Sequence, residues 1–305
     1  MTRQFEHMAD VELFCLAAES GGFTSAAQQA GLTPGAVSRA VARLEARLGV
    51  QLFVRSTRQV RLTDAGLLYL DQCRQAFTQI ADAERLLGGQ QVQPTGVVRV
   101  SMPSAYGQFR ILPLIASFKA RYPEVDLVIN LFNRNVDFGE EPYDLVIRAR
   151  PPADSRLVAR KLEEGELIIV GAPSYLERAG TPQTLEDLVG HECIQFELPS
   201  SGRRIPWSFM ADGEPVEWAT QGSITCSDDF IGGVQLARHG AGLYQSYRFM
   251  AADALACGEL VEVLQPFGGR SRPFSVLYPH GRHLPLRVRV FIDHLLQELP
   301  RLQPA

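Results

Sequence analysis

Residues 22–63 are punctuated so tightly that few folds remain open to them. Gly31 can close a short helix in the left-handed conformation, Thr33 can cap a second, and Pro34 suits that helix's first position, where its missing N–H costs nothing. Gly49 then stops the second helix after Leu48. Thr24 reads as the N-cap of the first helix, which runs from Ser25 to Gln29, and Leu32 as a residue buried in the turn. Two short helices joined by a tight, glycine-containing turn are what a helix-turn-helix needs.

On the second helix Val37, Val41, Leu44 and Leu48 form one apolar stripe. The opposite face carries Gly35, Arg39, Ala42, Arg43 and Ala46, with Ser38 at its edge. Small residues there permit close approach, and arginines can fork onto guanine or clamp phosphate. A solvated amphipathic helix shows the same pattern; the capped helix before it and the hairpin behind it decide against that. Leu52 to Ser56 and Val60 to Thr63 alternate around the polar turn Thr57-Arg58-Gln59, making a wing that can lie along a phosphate backbone. Arg39, Arg43, Arg47, Arg55, Arg58 and Arg61 face a single acid, Glu45, so the stretch carries +5 on a chain of net charge −4, leaving −9 elsewhere. A basic island on an acidic body is the footprint of a DNA-reading module joined to a body that does not bind DNA.

Leu13-Phe14, Gly22-Phe23-Thr24, Ala26-Ala27, Pro34, Ala36-Val37-Ser38-Arg39, Leu44-Glu45, Leu48-Gly49, Leu52-Phe53, Arg55 and Leu62-Thr63-Asp64-Ala65-Gly66 together closely resemble the LysR-type transcriptional regulators. The resemblance implies a winged helix-turn-helix and a dimer on double-stranded promoter DNA. Thr33, Pro34 and Gly35 would then lead the recognition helix into the major groove, with Ser38, Arg39 and Arg43 near base edges. Arg47, Arg55, Arg58 and Arg61 are assigned to phosphates. Gly35 departs from the family, which often has a hydrogen-bonding side chain there.

From Asp64 to Leu87 a long helix is expected, with Leu70, Cys73, Phe77, Ile80, Glu84 and Leu87 on an a/d-like seam. Packing on its own domain and dimerisation are the two readings of that seam. The position after the wing and a length of about 36 Å favour dimerisation, as the resemblance does. The expected organisation is therefore a winged head at 1–63, a dimerising linker helix at 64–89, a hinge at 90–96 and an effector-binding body at 97–305. The fold class is an α+β head followed by an α/β body with mainly parallel strands. The body is expected to hold strands at 97–102, 127–132, 145–148 and 166–171, and helices at 109–121, 174–179, 185–190, 228–239 and 286–299. The resemblance implies a two-lobed, periplasmic-binding-protein-like domain, with lobes at 97–164 plus 268–305 and at 165–267. It also implies four protomers on one promoter, with RNA polymerase as a further partner.

Ligands of open α/β sheets bind beyond strand carboxyl ends and at helix starts. Ser101, Met102 and Ser104, the loop around Ser200, Asp228, and Tyr244 with Gln245 are the candidate effector contacts. A serine after a strand is more often a helix cap than a ligand contact, and Arg148 either pairs an effector carboxylate or sits in a structural ion pair. If Asp228 and Asp229 face the cleft they occupy a positive helix end, and the expected effector is uncharged or donor-rich.

The alternative is an enzyme with an α/β catalytic body and a helical appendage, but no glycine-rich phosphate loop, GxSxG elbow or HExxH motif supports it. His280 and His283 are a weak metal pair on a loop. No metal or cofactor is expected. An exported solute-binding protein would need a signal segment, and the acidic body argues against a non-specific DNA-coating protein. No apolar run of about 18 residues points to a membrane. Five scattered cysteines, with Cys193 and Cys226 as one conceivable redox pair, suit a reducing cytoplasm.

Overall fold

A computed structural model describes residues 7–55, 60–87, 93–138, 141–149, 157–198, 202–280 and 284–302. The chain forms two compact units, Met1–Val92 and Gln93–Ala305.

Unit one contains α1 (Met8–Glu19), α2 (Phe23–Ala30), α3 (Pro34–Leu48), the antiparallel strands β1 (Phe53–Arg55) and β2 (Val60–Leu62), and α4 (Asp64–Leu87). Phe14, Ala26, Val37, Val41, Leu44 and Leu52 form its core. Thr33 caps α3, its hydroxyl accepting from the Ala36 amide at 3.3 Å, and Gly49 ends the helix at φ 70°. The start of α2 differs from expectation. Gly22, not Thr24, is its N-cap, and Phe23 is already helical. That placement brings the Phe23 ring edge-on to Phe53, 5.3 Å away. Leu32 is 46% exposed rather than buried. Its amide bonds back to Ala27 while Gly31 bonds to Gln28, so a Schellman turn fixes the backbone and turns the side chain outward.

Helix α4 starts on a cap from Thr63, whose hydroxyl accepts from the Gly66 amide at 2.9 Å. Leu70 and Cys73, the first residues of the expected seam, are buried in unit one's own core, and Phe77 packs beside them. Ile80 and Glu84 are exposed, and Leu87's side chain lies outside the described residues. The seam is therefore split: its first half serves the fold of unit one.

Unit two runs β3 (Gly96–Met102), a single turn α5 (Ser104–Tyr106), a π-helical segment Gly107–Ile111, α6 (Leu112–Arg121), β4 (Val125–Leu131), β5 (Leu145–Arg148) and β6 (Leu157–Gly171). Then come α7 (Pro173–Ala179), β7 (Gln195–Glu197), β8 (Trp207–Ala211), β9 (Glu214–Trp218), β10 (Thr225–Ser227), α8 (Phe230–Arg238), β11 (Tyr244–Tyr247), α9 (Arg248–Ala256), β12 (Val261–Val263), β13 (Ser271–Pro279) and α10 (Leu286–Glu298). Gly96, expected in the hinge, opens β3. The main sheet has the order β11-β6-β13-β5-β3-β4, with β12 also on β6.

The sheet is mixed, not mainly parallel. β3 is parallel to β4 and β5, whereas β13 is antiparallel to β5 and β6, and β11 and β12 are antiparallel to β6. Two strands that carry the chain between lobes in opposite directions, side by side, must pair antiparallel, and β6 and β13 do so along their length. Expected from Glu166, β6 instead begins at Leu157, because its charged first half faces water on one side. Gly165 on β6 lies against two rings: a Cβ there would be 2.7 Å from the Phe274 ring and 2.9 Å from Tyr247.

Candidate functional site

Unit one presents α3's polar face outward. Gly35, Arg39, Ala42, Arg43, Ala46 and Arg47 are exposed and Ser38 is half-buried. Arg39 makes no hydrogen bond or ion pair within the described residues, and its guanidinium lies 3.5 Å from where a Gly35 side chain would start. The empty position at Gly35 is thus flanked by an uncommitted arginine. Arg43 is committed. Its guanidinium grips buried Asp10 of α1 through two bonds of 3.1 and 2.5 Å, and the bond raises its pKa further. Base contact by Arg43, expected from the sequence, competes with this tie. Arg47 reaches the Tyr69 hydroxyl on α4. Arg61 is exposed on β2. Arg55's side chain and all of Arg58 lie outside the described residues.

Glu45, the one acid of the island, was not a candidate, yet it builds the site. Its Oε1 accepts from the amides of Leu52 and Phe53 at 2.8 and 3.1 Å, pinning the wing to the recognition helix. An acid alone among arginines, eight residues before a strand, was the available signal.

Unit two holds a cavity of about 900 Å³. Its walls come from the turn after β3 (Ala105, Tyr106), the segment after β4 (Asn133, Asn135), the end of β5 (Val146, Arg148), the 203–206 loop, Phe230 opening α8, Tyr247, and β13 (Arg272, Phe274). Ring stacks support it: Tyr106 on Phe274 with centroids 3.9 Å apart, and Phe196 on Phe230 at 3.7 Å.

Of the expected effector contacts, Arg148 lines this cavity. Its guanidinium donates to the Ser101 hydroxyl (2.9 Å) and carbonyl (3.3 Å), and to the carbonyls of Ile147 (2.6 Å) and Arg134 (2.8 Å). Nε is buried with no partner. Burial, with Arg134 adding repulsion, pulls its pKa down to about 10. The structural ion pair weighed for it is not there: no carboxylate bonds it within the described residues. Ser101 and Met102 are fully buried and off the wall, and Ser101 acts through Arg148. Ser104 is half-buried and off the wall, and α5 takes no side-chain cap. Tyr244 and Gln245 line a small side chamber that shares Phe196, Phe230, Tyr247 and Arg272 with the main cavity. The Gln245 amide brackets the Ser208 backbone with two 2.9 Å bonds, so it joins β11 to β8. Asp228 is exposed outside the cavity, its carbonyl held by Asn133. Asp229 caps α8, accepting from the Ile231 amide at 2.9 Å. The premise of two acids facing the cleft therefore fails, and with it the expectation of an uncharged effector. Ser200 lies outside the described residues.

Arg203, Arg204 and Arg272 were missed, because segments far apart in the sequence supply the wall and no linear spacing connects them. All five cysteines are free; burial raises Cys193 to about 12 and also raises Cys226. His283, half of the weak metal pair, is outside the described residues. Among the described residues no helix is long and apolar enough to cross a membrane.

Comparison with known proteins covers both units. Residues 8–67 match the family model described as "Bacterial regulatory helix-turn-helix protein, lysR family", and residues 91–300 match "LysR substrate binding domain". The chain is 33% identical to the "Probable HTH-type transcriptional regulator LtrA" of Klebsiella pneumoniae over 97% of this chain and 96% of that one. Among solved structures it is similar to CrgA, a LysR-type transcriptional regulator from Neisseria meningitidis (TM-score 0.61, 31% identity, 95% of this chain and 98% of that one). It is also similar to full-length AphB, the Vibrio cholerae virulence activator (TM-score 0.59, 26% identity, 95% and 98%).

Proposed function

From the premise that the chain belongs to the LysR-type family of transcriptional regulators, we propose how its two units divide the work. It is a regulator with a helix-turn-helix that binds promoter DNA and a domain that binds a small-molecule effector, and like its family it works as an oligomer. The relatives are regulators rather than enzymes. Arg39 carries our assignment of the base-reading contact. It is exposed, uncommitted among the described residues, and stands on α3 six residues from the Thr33 cap, beside a glycine that adds no bulk. Pro34 and Gly35 lead that end of the helix into the major groove, and Ser38 flanks Arg39. Arg47, Arg55, Arg58 and Arg61 supply phosphate contacts, while Arg43 holds α1 to α3.

The effector enters the cavity of unit two, between the lobe of β3, β4 and β5 and the lobe of β11 and β12. Protomers pair through the second half of α4, and two pairs occupy one promoter in the cytoplasm, within reach of RNA polymerase. Footprinting followed by binding titrations tests the division of roles. Arg39→Ala should relax sequence preference, costing about 1–3 kcal/mol at the matched site, whereas Arg55→Ala should weaken all duplexes alike and lower the salt slope by about 1. Equal losses across sequences for both variants contradict it.

A further inference from the structure

Among the described residues Arg148 is a buried cation without a bonded counter-ion. Only 8% of it is exposed, and its acceptors are a hydroxyl and carbonyls, all uncharged. The neighbouring acid, Glu141, is already held bidentately by Arg134 at 2.8 and 2.6 Å, so those two charges cancel. Around the same cavity stand Arg203, Arg204 and Arg272, the last with a buried Nε that finds no partner. The one acid on the described wall, Glu217, takes a bond from the Ser208 hydroxyl at 2.9 Å and lies 3.9 Å from Arg270. A concave space with uncompensated positive charge favours an anion, and a buried unpaired cation costs free energy until one arrives.

We propose that the effector is an organic carboxylate on an apolar, ring-bearing body, its carboxylate bound at Arg148 and drawn also by the arginines of the facing lobe. The proposal rests on the cavity being the effector site. The guanidinium fork matches a carboxylate in two-pronged geometry. Phosphate sites use free helix starts and backbone amides, but at α8, whose first residue Phe230 lines this cavity, the Ile231 amide is already taken by the Asp229 carboxylate. Tyr106, Phe196, Phe230, Tyr247 and Phe274 supply the apolar wall, and about 900 Å³ is ample for a drug-sized molecule. With Arg148 on one lobe and Arg203 and Arg204 on the other, the anion would draw the lobes together.

Calorimetric titration of the full-length protein tests this with benzoate, phenylacetate, cinnamate and 2-naphthoate, each beside its primary amide, and with succinate and inorganic phosphate. At least one aromatic carboxylate should bind about 10-fold or more tightly than its amide, and more tightly than succinate or phosphate. Arg148→Met should remove that preference. Because a buried substitution can impair folding, the exposed pair Arg203→Ala/Arg204→Ala serves as a second variant, with an expected loss of about 3-fold. Amides binding as well as acids, succinate or phosphate binding best, or no carboxylate binding below about 10 mM, each overturns the class of effector. The first two leave the cavity as the effector site if the amide or anion loses affinity in the variants. Carboxylate binding that neither variant alters puts the ligand elsewhere, and then the reading of the cavity itself fails.

Discussion

Two glycines in unit one meet opposite surroundings. A Cβ at Gly66 would lie 2.1 Å from the Leu52 carbonyl oxygen and 3.0 Å from its carbon, so backbone would have to move. Gly66 is what lets α4 rest against the chain entering the wing, where Leu52 also accepts from the Thr63 amide. At Gly35 the same atom would meet only Arg39, at 3.5 Å, and the backbone is ordinary helix. Gly66→Ala should therefore destabilise unit one by about 1–3 kcal/mol despite the better helix former. Gly35→Ala should be neutral or stabilise it by up to about 1 kcal/mol. Urea melts of both variants check the pair of signs. The sequence marked both glycines as family positions or departures, but their opposite roles depend on what lies across space from each.

Between elements, ties chosen by tertiary contact decide more than local pattern does. Asp10 on α1 is 9% exposed at its side chain and Arg43 on α3 is 60% exposed, so their bond is lopsided. Among the described residues, Arg43→Ala leaves a buried carboxylate with only the distant His7 imidazole, 3.9 Å away, whereas Asp10→Asn leaves an arginine in water. Thermal melts should accordingly show a larger loss for Arg43→Ala, and its DNA affinity should fall in step with folding rather than with sequence. In unit two the Tyr175 hydroxyl joins α7 to the next segment, accepting from the Glu192 amide at 2.9 Å and meeting His191 Nδ1 at 3.0 Å. Burial lowers the His191 pKa below its ordinary 6.5. The unfolded chain then takes up the proton first as pH falls, so this stability is present above 6.5 and is lost as pH drops toward the folded value. Melting temperature should decline between about pH 7 and 5.5, and His191→Gln should flatten that slope. The α3 stripe, its cap and both of its ends were legible because periodicity and capping are local. The β8–β9 hairpin, α9, β12 and the longer β13 were not anticipated, since strands and a helix of weak amphipathicity acquire their identity only from the partners they meet.

At the scale of the molecule, effector and DNA must influence each other equally if one alters binding of the other. A carboxylate that tightens or weakens promoter binding by a given factor should show the same factor in its own affinity when promoter DNA is present. A coupling of about 1–3 kcal/mol, or roughly 5- to 150-fold, is the expected range. Titrating the acid with and without a footprinted promoter fragment measures it, and unequal factors would mean that the two sites are not linked through one equilibrium.

The sequence alone determined that a capped, arginine-faced helix and a wing stand at one end of this protein and an α/β body at the other. The helix and wing follow from dihedral preferences, helical period and charge within some forty consecutive residues, where the structure moved the start of α2 and turned Leu32 outward. Only the tertiary structure decided the rest. It took Arg43 for Asp10 and left Arg39 free, turned Asp229 into a cap, and gathered Arg148, Arg203, Arg204 and Arg272 around one cavity. Whether a charge reads DNA, holds a helix or awaits a ligand depends on which opposite charge reaches it, and that is set by packing between segments the sequence keeps far apart.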